Sequence, residues 1–531
     1  MKKQQFLSLG ILAGVLLFEA WPVGPSCFLV FIALVPLLIL ADKTTKRLSF
    51  FIFTFVGLLI FNAATTWWIW NSTDIGSVAA IVANSLLMCI PWWGFHLMLK
   101  KYGRNMGYVS LVCFLMLFEY IHLNWQLSWP WLTLGNVFAA NPNWVQWYEY
   151  TGVAGGTLWV LLVNIFIKLA LGSWVNLKRA IMPMAVILLL LVVAPLVTSY
   201  LILANKKNNT QPVAGNVLMV QPNINPYQKF EAGNAANEIQ QMIALSESNI
   251  DSATKLILWP ETALSVPSWQ DKIDSNANYK PVFAFLQRHP NATLLSGIET
   301  FKNYGTDKAT ATARKADDGS YYDAFNSAIF KNTNQSFQLY NKSKLVPGVE
   351  SMPTFLYFLA PVFEKFGGTT GGYGSSDSSK VFAVEGNPYH AAPVICYESI
   401  YGEYVGSYVK RGANLIAIIT NDGWWGNTPG HKQHLQYARL RAIETRRWVA
   451  RSANTGISAV IDDYGNIMAT QPWNKVAVIK YFVPTTTVLT FYVQHGDWLY
   501  KIAGFIAALL IAWHGYVLVK GFIVSRKEKQ I

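Results

Sequence analysis

Eight stretches of this chain are apolar over the length that a membrane helix needs, and no other feature limits the possible folds as strongly. They lie near residues 5–22, 25–41, 49–68, 76–99, 107–125, 152–173, 180–203 and 501–524. A hydrocarbon core about 30 Å thick takes about 20 residues of helix. Within it every backbone N–H and C=O has to be satisfied, which a helix does inside its own segment. A bundle of eight transmembrane helices is therefore expected. The first run follows Met1-Lys2-Lys3 as a signal peptide would. No small-residue cleavage site follows and further apolar runs do, so it reads as a retained helix.

Lysine and arginine give the orientation, because short cytoplasmic loops carry the excess of positive charge. Lys2 and Lys3, then Lys43, Lys46 and Arg47, then Lys100, Lys101 and Arg104, then Lys178 and Arg179 fall on one side, with Arg526, Lys527 and Lys529. The opposite connections, 69–75 and 126–151, contain neither residue. Both termini are thus expected in the cytoplasm, and the long segment between the seventh and eighth runs outside it. The net charge of +13 belongs to this pattern and not to a nucleic-acid surface.

The chain divides accordingly into a seven-helix region (1–204), a soluble domain (205–490) and a C-terminal helix with its tail (491–531). Past a polar linker at 205–211, the soluble part alternates strand-like and helical stretches. Strands are expected at 213–220, 255–259, 292–298, 391–395, 415–420 and 456–461, a hairpin at 325–330 and 335–339, and helices at 235–249 and 434–449. Such alternation implies an α/β layered domain. Two further stretches stand apart. The outer loop 126–151 holds Trp129, Trp131, Trp144 and Trp147, which suit an interfacial belt or a segment lining a path for lipid. Met352 to Ser379 begins aromatic and amphipathic and ends rich in Gly and Ser, which suits a surface helix or an arm dipping into the bilayer.

Three strand ends deliver chemistry. Lys255-Leu-Ile-Leu-Trp-Pro-Glu261 ends on a carboxylate, Tyr340-Asn-Lys342 on an ammonium, and Ala391-Ala-Pro-Val-Ile-Cys396 on a thiol. Cys396 is the only cysteine of the soluble part; Cys27, Cys89 and Cys113 lie in apolar runs, so that domain has no internal disulfide. A thiol with pKa ~8.5 is mostly protonated at neutral pH and needs a base to attack an ester. Glu261 is the candidate base. Lys342, with the backbone N–H of Tyr397, is the candidate for stabilising the oxyanion. Glu350 and Glu398 would orient Lys342 or bind an incoming amine. His431, His434 and Asp422 offer a Cys–His pair or a metal site as alternatives. Arg439, Arg441, Glu444, Arg446 and Arg447 read as one salt-bridged helix face.

The ordered motifs Trp-Pro-Glu261, Tyr-Asn-Lys342 before Leu-Val-Pro, and Ile-Cys396-Tyr-Glu398 resemble the Glu–Lys–Cys triad of the nitrilase superfamily. With seven apolar runs before and one after, the chain resembles the apolipoprotein N-acyltransferases. That resemblance implies an extracytoplasmic α-β-β-α sandwich in a bacterial inner membrane. It implies Glu261, Lys342 and Cys396 as the triad, and Glu350, Tyr397 and Glu398 as assisting residues. It also implies ping-pong transfer through a Cys396 thioester from phosphatidylethanolamine to the α-amine of a diacylated lipoprotein. No metal or other cofactor is expected, and a monomer is. A tethered amidase or hydrolase is the runner-up, and a lipoprotein-binding scaffold the alternative of another class. Two departures stand out: Leu345-Val-Pro-Gly-Val-Glu350 replaces the usual Leu-Val-Pro-Phe-Gly-Glu, and Lys344 replaces a common histidine.

Overall fold

A computed structural model describes all residues except 1, 25, 177–180, 207–210, 212–214, 230–233, 360–371 and 529–531. Lys178, Arg179, Lys529, most of the linker and the middle of the 352–379 arm lie outside the described residues. Among these, six helices are long and apolar enough to cross a membrane, within Arg47–Asn71, Asp74–Tyr102, Arg104–Asn124, Val153–Gly172, Met182–Ala204 and Trp498–Arg526. The first expected run forms an 18-residue helix, Lys3–Ala20. Gly10 and Gly57 let it approach the Arg47–Thr66 helix closely, since a Cβ on Gly57 would meet Gly10 O at 2.5 Å. Small residues serve that purpose between membrane helices.

The second run is not one continuous helix. It breaks into a 3-10 turn at Cys27–Leu29 and short helices at Val30–Ala33 and Val35–Lys43. Pro36 has no N–H to return to the preceding turn. The buried Asn164 satisfies the opened backbone, accepting from Leu34 N at 2.9 Å and donating to Val30 O at 2.8 Å. A break in apolar surroundings needs such a partner; nothing in the apolar run itself announces it.

The soluble part holds two sheets. The first runs β13 (Ala477–Tyr481), β1 (Asn216–Gln221), β2 (Thr254–Leu258), β4 (Thr293–Asn303), β6 (Tyr321–Lys331) and β5 (Arg314–Lys315), with β3 (Leu264–Trp269) on β4 and β7 (Gln338–Asn341) on β6. The second runs β12 (Ile467–Thr470), β11 (Ala459–Ile461), β10 (Val449–Ala453), β9 (Leu415–Thr420) and β8 (Ala391–Ile395). β8, β9 and β10 are parallel and entirely buried, which explains the apolar runs of β8 and β9; β10 carries the buried Arg451 and Ser452. Val217, Met219, Leu256 and Leu295 of one sheet share a core with Val394, Ile418 and Val449 of the other. Leu218, Ile257 and Leu294 face instead the helices Asn234–Glu247 and Lys280–Arg288.

The expected helix at 434–449 is displaced, running Pro429–Thr445. Thr428 caps it through Gly430 N, and Arg446 ends it at φ 48°. Val449 already belongs to β10, because its surroundings are a sheet interior and not a helix face. The arginines form no single salt-bridged face. Arg441 donates to Glu444 at 2.8 Å, Arg446 reaches Glu149 of the 126–151 loop at 2.8 Å, and among the described residues Arg447 bonds carbonyls alone. Buried guanidinium needs such partners. The loop itself folds into 3-10 turns under the soluble domain, where buried Trp131 donates to Gln433 Oε1 at 2.7 Å.

Candidate active site

Glu261 meets Lys342, 81 positions later, and Glu350, eight beyond that, around one buried ammonium. Lys342 leaves the end of β7 and is 1% exposed; its Nζ donates to Glu261 Oε1 at 3.2 Å and Glu350 Oε1 at 2.8 Å. Burial alone would lower its pKa, but the Glu261 and Glu350 carboxylates raise it well above the ordinary lysine value. The ammonium therefore stays charged.

Glu261 follows β2 through Trp259 and Pro260. Asn326 of β6 donates to Glu261 Oε1 at 2.8 Å and to Glu350 Oε1 at 3.1 Å. Asn421 N donates to Glu261 Oε2 at 3.0 Å. Val346 N closes the other side, donating to Glu350 Oε2 at 2.8 Å. The spacing from Lys342 to Glu350 thus brings the carboxylate home despite the altered Gly348-Val349 pair; Gly348 takes φ 80°, a conformation open to glycine at little cost.

Cys396 ends β8 in a left-handed conformation, φ 50°, which costs a non-glycine residue about 1–2 kcal/mol and turns the chain sharply. Burial and the Glu261 charge raise the thiol pKa well above its ordinary value, partly opposed by Lys342. The sulfur is thus a protonated thiol under the opposed charges of Glu261 and Lys342. Tyr397 donates to Ser128 O at 2.9 Å and stacks on Trp129, so the next residue along is tied to the membrane-side loop. Glu398 turns inward. Its Oε1 accepts from Tyr340 Oη at 2.5 Å and Ser343 N at 2.7 Å, and its Oε2 from Ile395 N at 2.9 Å. Burial pushes its carboxyl up to about 7.

Asp422 and His434 also approach the site: with Cys396 they offer ligand atoms within 4.8 Å of one another. Arg451, however, donates to Asp422 Oδ2 at 2.5 Å and lies 3.2 Å from His434 Nδ1. A guanidinium already supplies the positive charge there. His434 Nε2 contacts Ser399 Oγ at 2.9 Å and Cys396 O at 3.2 Å, behind the thiol. His431 stacks on Trp473. Sequence reasoning missed Asn326, Asn421 and Lys229, whose Nζ donates to Glu261 O at 3.0 Å. A carboxamide inside the buried strand β6 was a visible signal, as was Asn421 directly after the expected strand 415–420; Lys229 gave none.

Residues 217–488 match the carbon-nitrogen hydrolase family, and residues 13–166 the apolipoprotein N-acyltransferase N-terminal domain. An apolipoprotein N-acyltransferase of Chlorobaculum tepidum is 30% identical over 506 residues, 92% of each chain. This chain belongs to the apolipoprotein N-acyltransferase family. Another of that name, from Rickettsia prowazekii, is 31% identical over 411 residues, 75% of each chain. The solved amidase from Nesterenkonia sp. covers 55% of this chain and 96% of its own, with TM-score 0.35 and 14% identity. Family membership favours acyl transfer over both the hydrolase and the binding scaffold.

Proposed function

We propose that this acyltransferase moves an acyl chain from a membrane phospholipid, through a thioester on Cys396, to the N-terminal α-amine of a diacylglyceryl-cysteine lipoprotein. That is the last step of lipoprotein maturation. One observation carries the reading: the buried cluster adjoins an apolar cavity of about 230 Å³. Thr66, Gly76, Ala80 and Leu87 of the membrane helices line it, with Val346 and Val349 of the Lys342–Glu350 loop. Ser128 and Trp129 in its wall are the residues that Tyr397 contacts.

In the first half, Glu261 takes the thiol proton as Cys396 Sγ attacks the ester carbonyl. The raised thiol pKa makes this base necessary. Lys342 and the backbone N–H of Tyr397 balance the oxyanion. The C–O bond then breaks, and Glu261 returns the proton to the departing lysophospholipid. In the second half the lipoprotein amine attacks the thioester, Glu261 accepts its proton, and the C–S bond breaks to give the amide as Glu261 returns that proton to the Cys396 sulfur. Glu350 holds Lys342, while Glu398 and Tyr397 hold the loops that shape the site.

We further read the donor as phosphatidylethanolamine and the working unit as a monomer in a bacterial inner membrane. Eight spans, cytoplasmic termini, an α-β-β-α sandwich at 205–490 on the periplasmic side, and the divisions at 204 and 491 complete the reading. The lysine and arginine distribution supports that orientation. The test is intact mass of the full-length protein with phosphatidylethanolamine, beside Cys396→Ala. A hydroxylamine-labile acyl adduct is expected on the wild type alone, discharged by a diacylated peptide. Discharge equally fast by water would make the protein a hydrolase. Peptide binding without any adduct would leave a scaffold.

A further inference from the structure

Lys344, where a histidine is common in the family, is a half-buried cation against aromatic rings. Its Nζ lies 5.3 Å from the Tyr401 ring centroid and 5.5 Å from that of Tyr404. Among the described residues it makes no ion pair, whereas Lys342, two positions earlier, makes two. Aromatic faces attract a cation but carry no counter-charge. Burial lowers its pKa, with Glu398 and Glu403 only partly opposing.

The ammonium stands in the wall of two polar cavities. One, of about 370 Å³, is lined also by Asn124, Gln126, Ser343 and Tyr373. The other, of about 300 Å³, is lined also by Asp377, Glu403 and Arg411. The first shares Ser128 and Pro353 with the apolar cavity assigned above to the acyl chain. A polar chamber whose described lining holds the Lys344 cation and no carboxylate therefore meets, at Ser128 and Pro353, the apolar chamber. The occupant that suits both is an amphiphile whose anionic group lies a few bonds from its ester.

We propose that Lys344 binds the phosphodiester of the donor phospholipid, seating the headgroup in the polar chamber while the acyl chain lies in the apolar one. This rests on the acyl-transfer reading above. The backbone that presents Lys344 is held independently of its side chain, by Ser343 N and Lys344 N donating to Glu398 Oε1 at 2.7 and 3.3 Å. Removing the ammonium should leave the triad in place.

The experiment follows initial rates of thioester formation by the full-length protein in detergent, with phosphatidylethanolamine and with a phosphate-free acyl p-nitrophenyl ester. Wild type, Lys344→Gln and Lys344→Arg are compared. Losing a charge-assisted hydrogen bond should raise KM for phosphatidylethanolamine about tenfold or more in Lys344→Gln. Its kcat should stay within about twofold, as expected when uniform binding is lost. Rates with the p-nitrophenyl ester should not change, and Lys344→Arg should restore most of the affinity. Glycerophosphoethanolamine should compete with phosphatidylethanolamine on the wild type and not on Lys344→Gln. Equal competition by inorganic phosphate would overturn the headgroup assignment. So would equal losses with both donors or an unchanged KM. A wild type that takes no acyl group from phospholipid would sink the acyl-transfer reading itself. A wild type that does, with Lys344→Gln identical to it, sinks only the role of Lys344.

Discussion

Both oxygens of Glu398 face donors: the Tyr340 hydroxyl and the N–H groups of Ser343, Lys344 and Ile395. Backbone N–H cannot accept, so the ionised carboxylate is the form that holds the Ser343–Lys344 backbone beside Lys342. Burial nevertheless pushes its pKa up to about 7, above the unfolded value of about 4.3. The folded state thus binds the proton more tightly, and the stability this contributes is complete below about pH 4 and lost as pH rises through about 7. Stability and rate should move oppositely. Taking the wild type from about pH 8 to about pH 6 should raise the thermal midpoint and slow thioester formation. Glu398→Gln should remove that share of the midpoint's pH dependence. By turning an amide N–H toward donors, it should cost about 1–3 kcal/mol and slow thioester formation at least about tenfold. Melting curves and adduct kinetics across pH check both; a variant as fast as wild type at about pH 8 would end this account of Glu398. The motif order showed which residue this was, but not that its partners would be donors on every side.

Among the strands, β4 positions Glu261 by having no side chain at one point. Gly297 N donates to Pro260 O at 3.2 Å, and a Cβ there would lie 2.3 Å from Thr262 N and 2.6 Å from Glu261 Cα. Those are backbone atoms, so nothing can rotate away. Thr262 already sits at φ 50°, leaving the turn little room to yield. Gly297→Ala should displace Glu261 from Asn326 and Lys342, at about 1–3 kcal/mol of overpacking. A shift near 1 Å can cost about a hundredfold in rate. Adduct kinetics on protein shown to be folded by its melting curve check this; activity within about twofold of wild type would mean that the strands absorb the strain. At this scale the sequence revealed the buried parallel strands, because β8 and β9 are continuous apolar runs. It placed the helix before β10 several residues late, since Trp448-Val-Ala reads equally as helix or strand until its neighbours are known. It also could not show that the second apolar run breaks at Leu34, where Asn164 waits 130 positions away.

For the whole molecule, the membrane region and the soluble domain share one apolar cluster. Tyr397, Tyr401, Tyr437, Leu440 and Ile443 pack in it with Trp68, Trp131, Val137 and Tyr148. Arg446 bridges to Glu149 and to Gln146 Oε1 at 2.7 Å. Residues 205–490 expressed alone would expose that face, next to the nucleophile. They should aggregate or elute as large assemblies on size exclusion, and form no adduct from an acyl p-nitrophenyl ester. A monodisperse, reactive fragment would show that the domain needs the membrane region only for substrate. The sequence by itself determined what is local: the apolar runs, the orientation charges, and the order Glu261, Lys342, Cys396 at strand ends. The tertiary structure alone decided what surrounds them. Asn326 and Asn421 reach Glu261 from 65 and 160 positions away, and Trp131 meets Gln433 across 302. Such contacts depend on how the sheets register and how the helices cross, which no periodicity along the chain records.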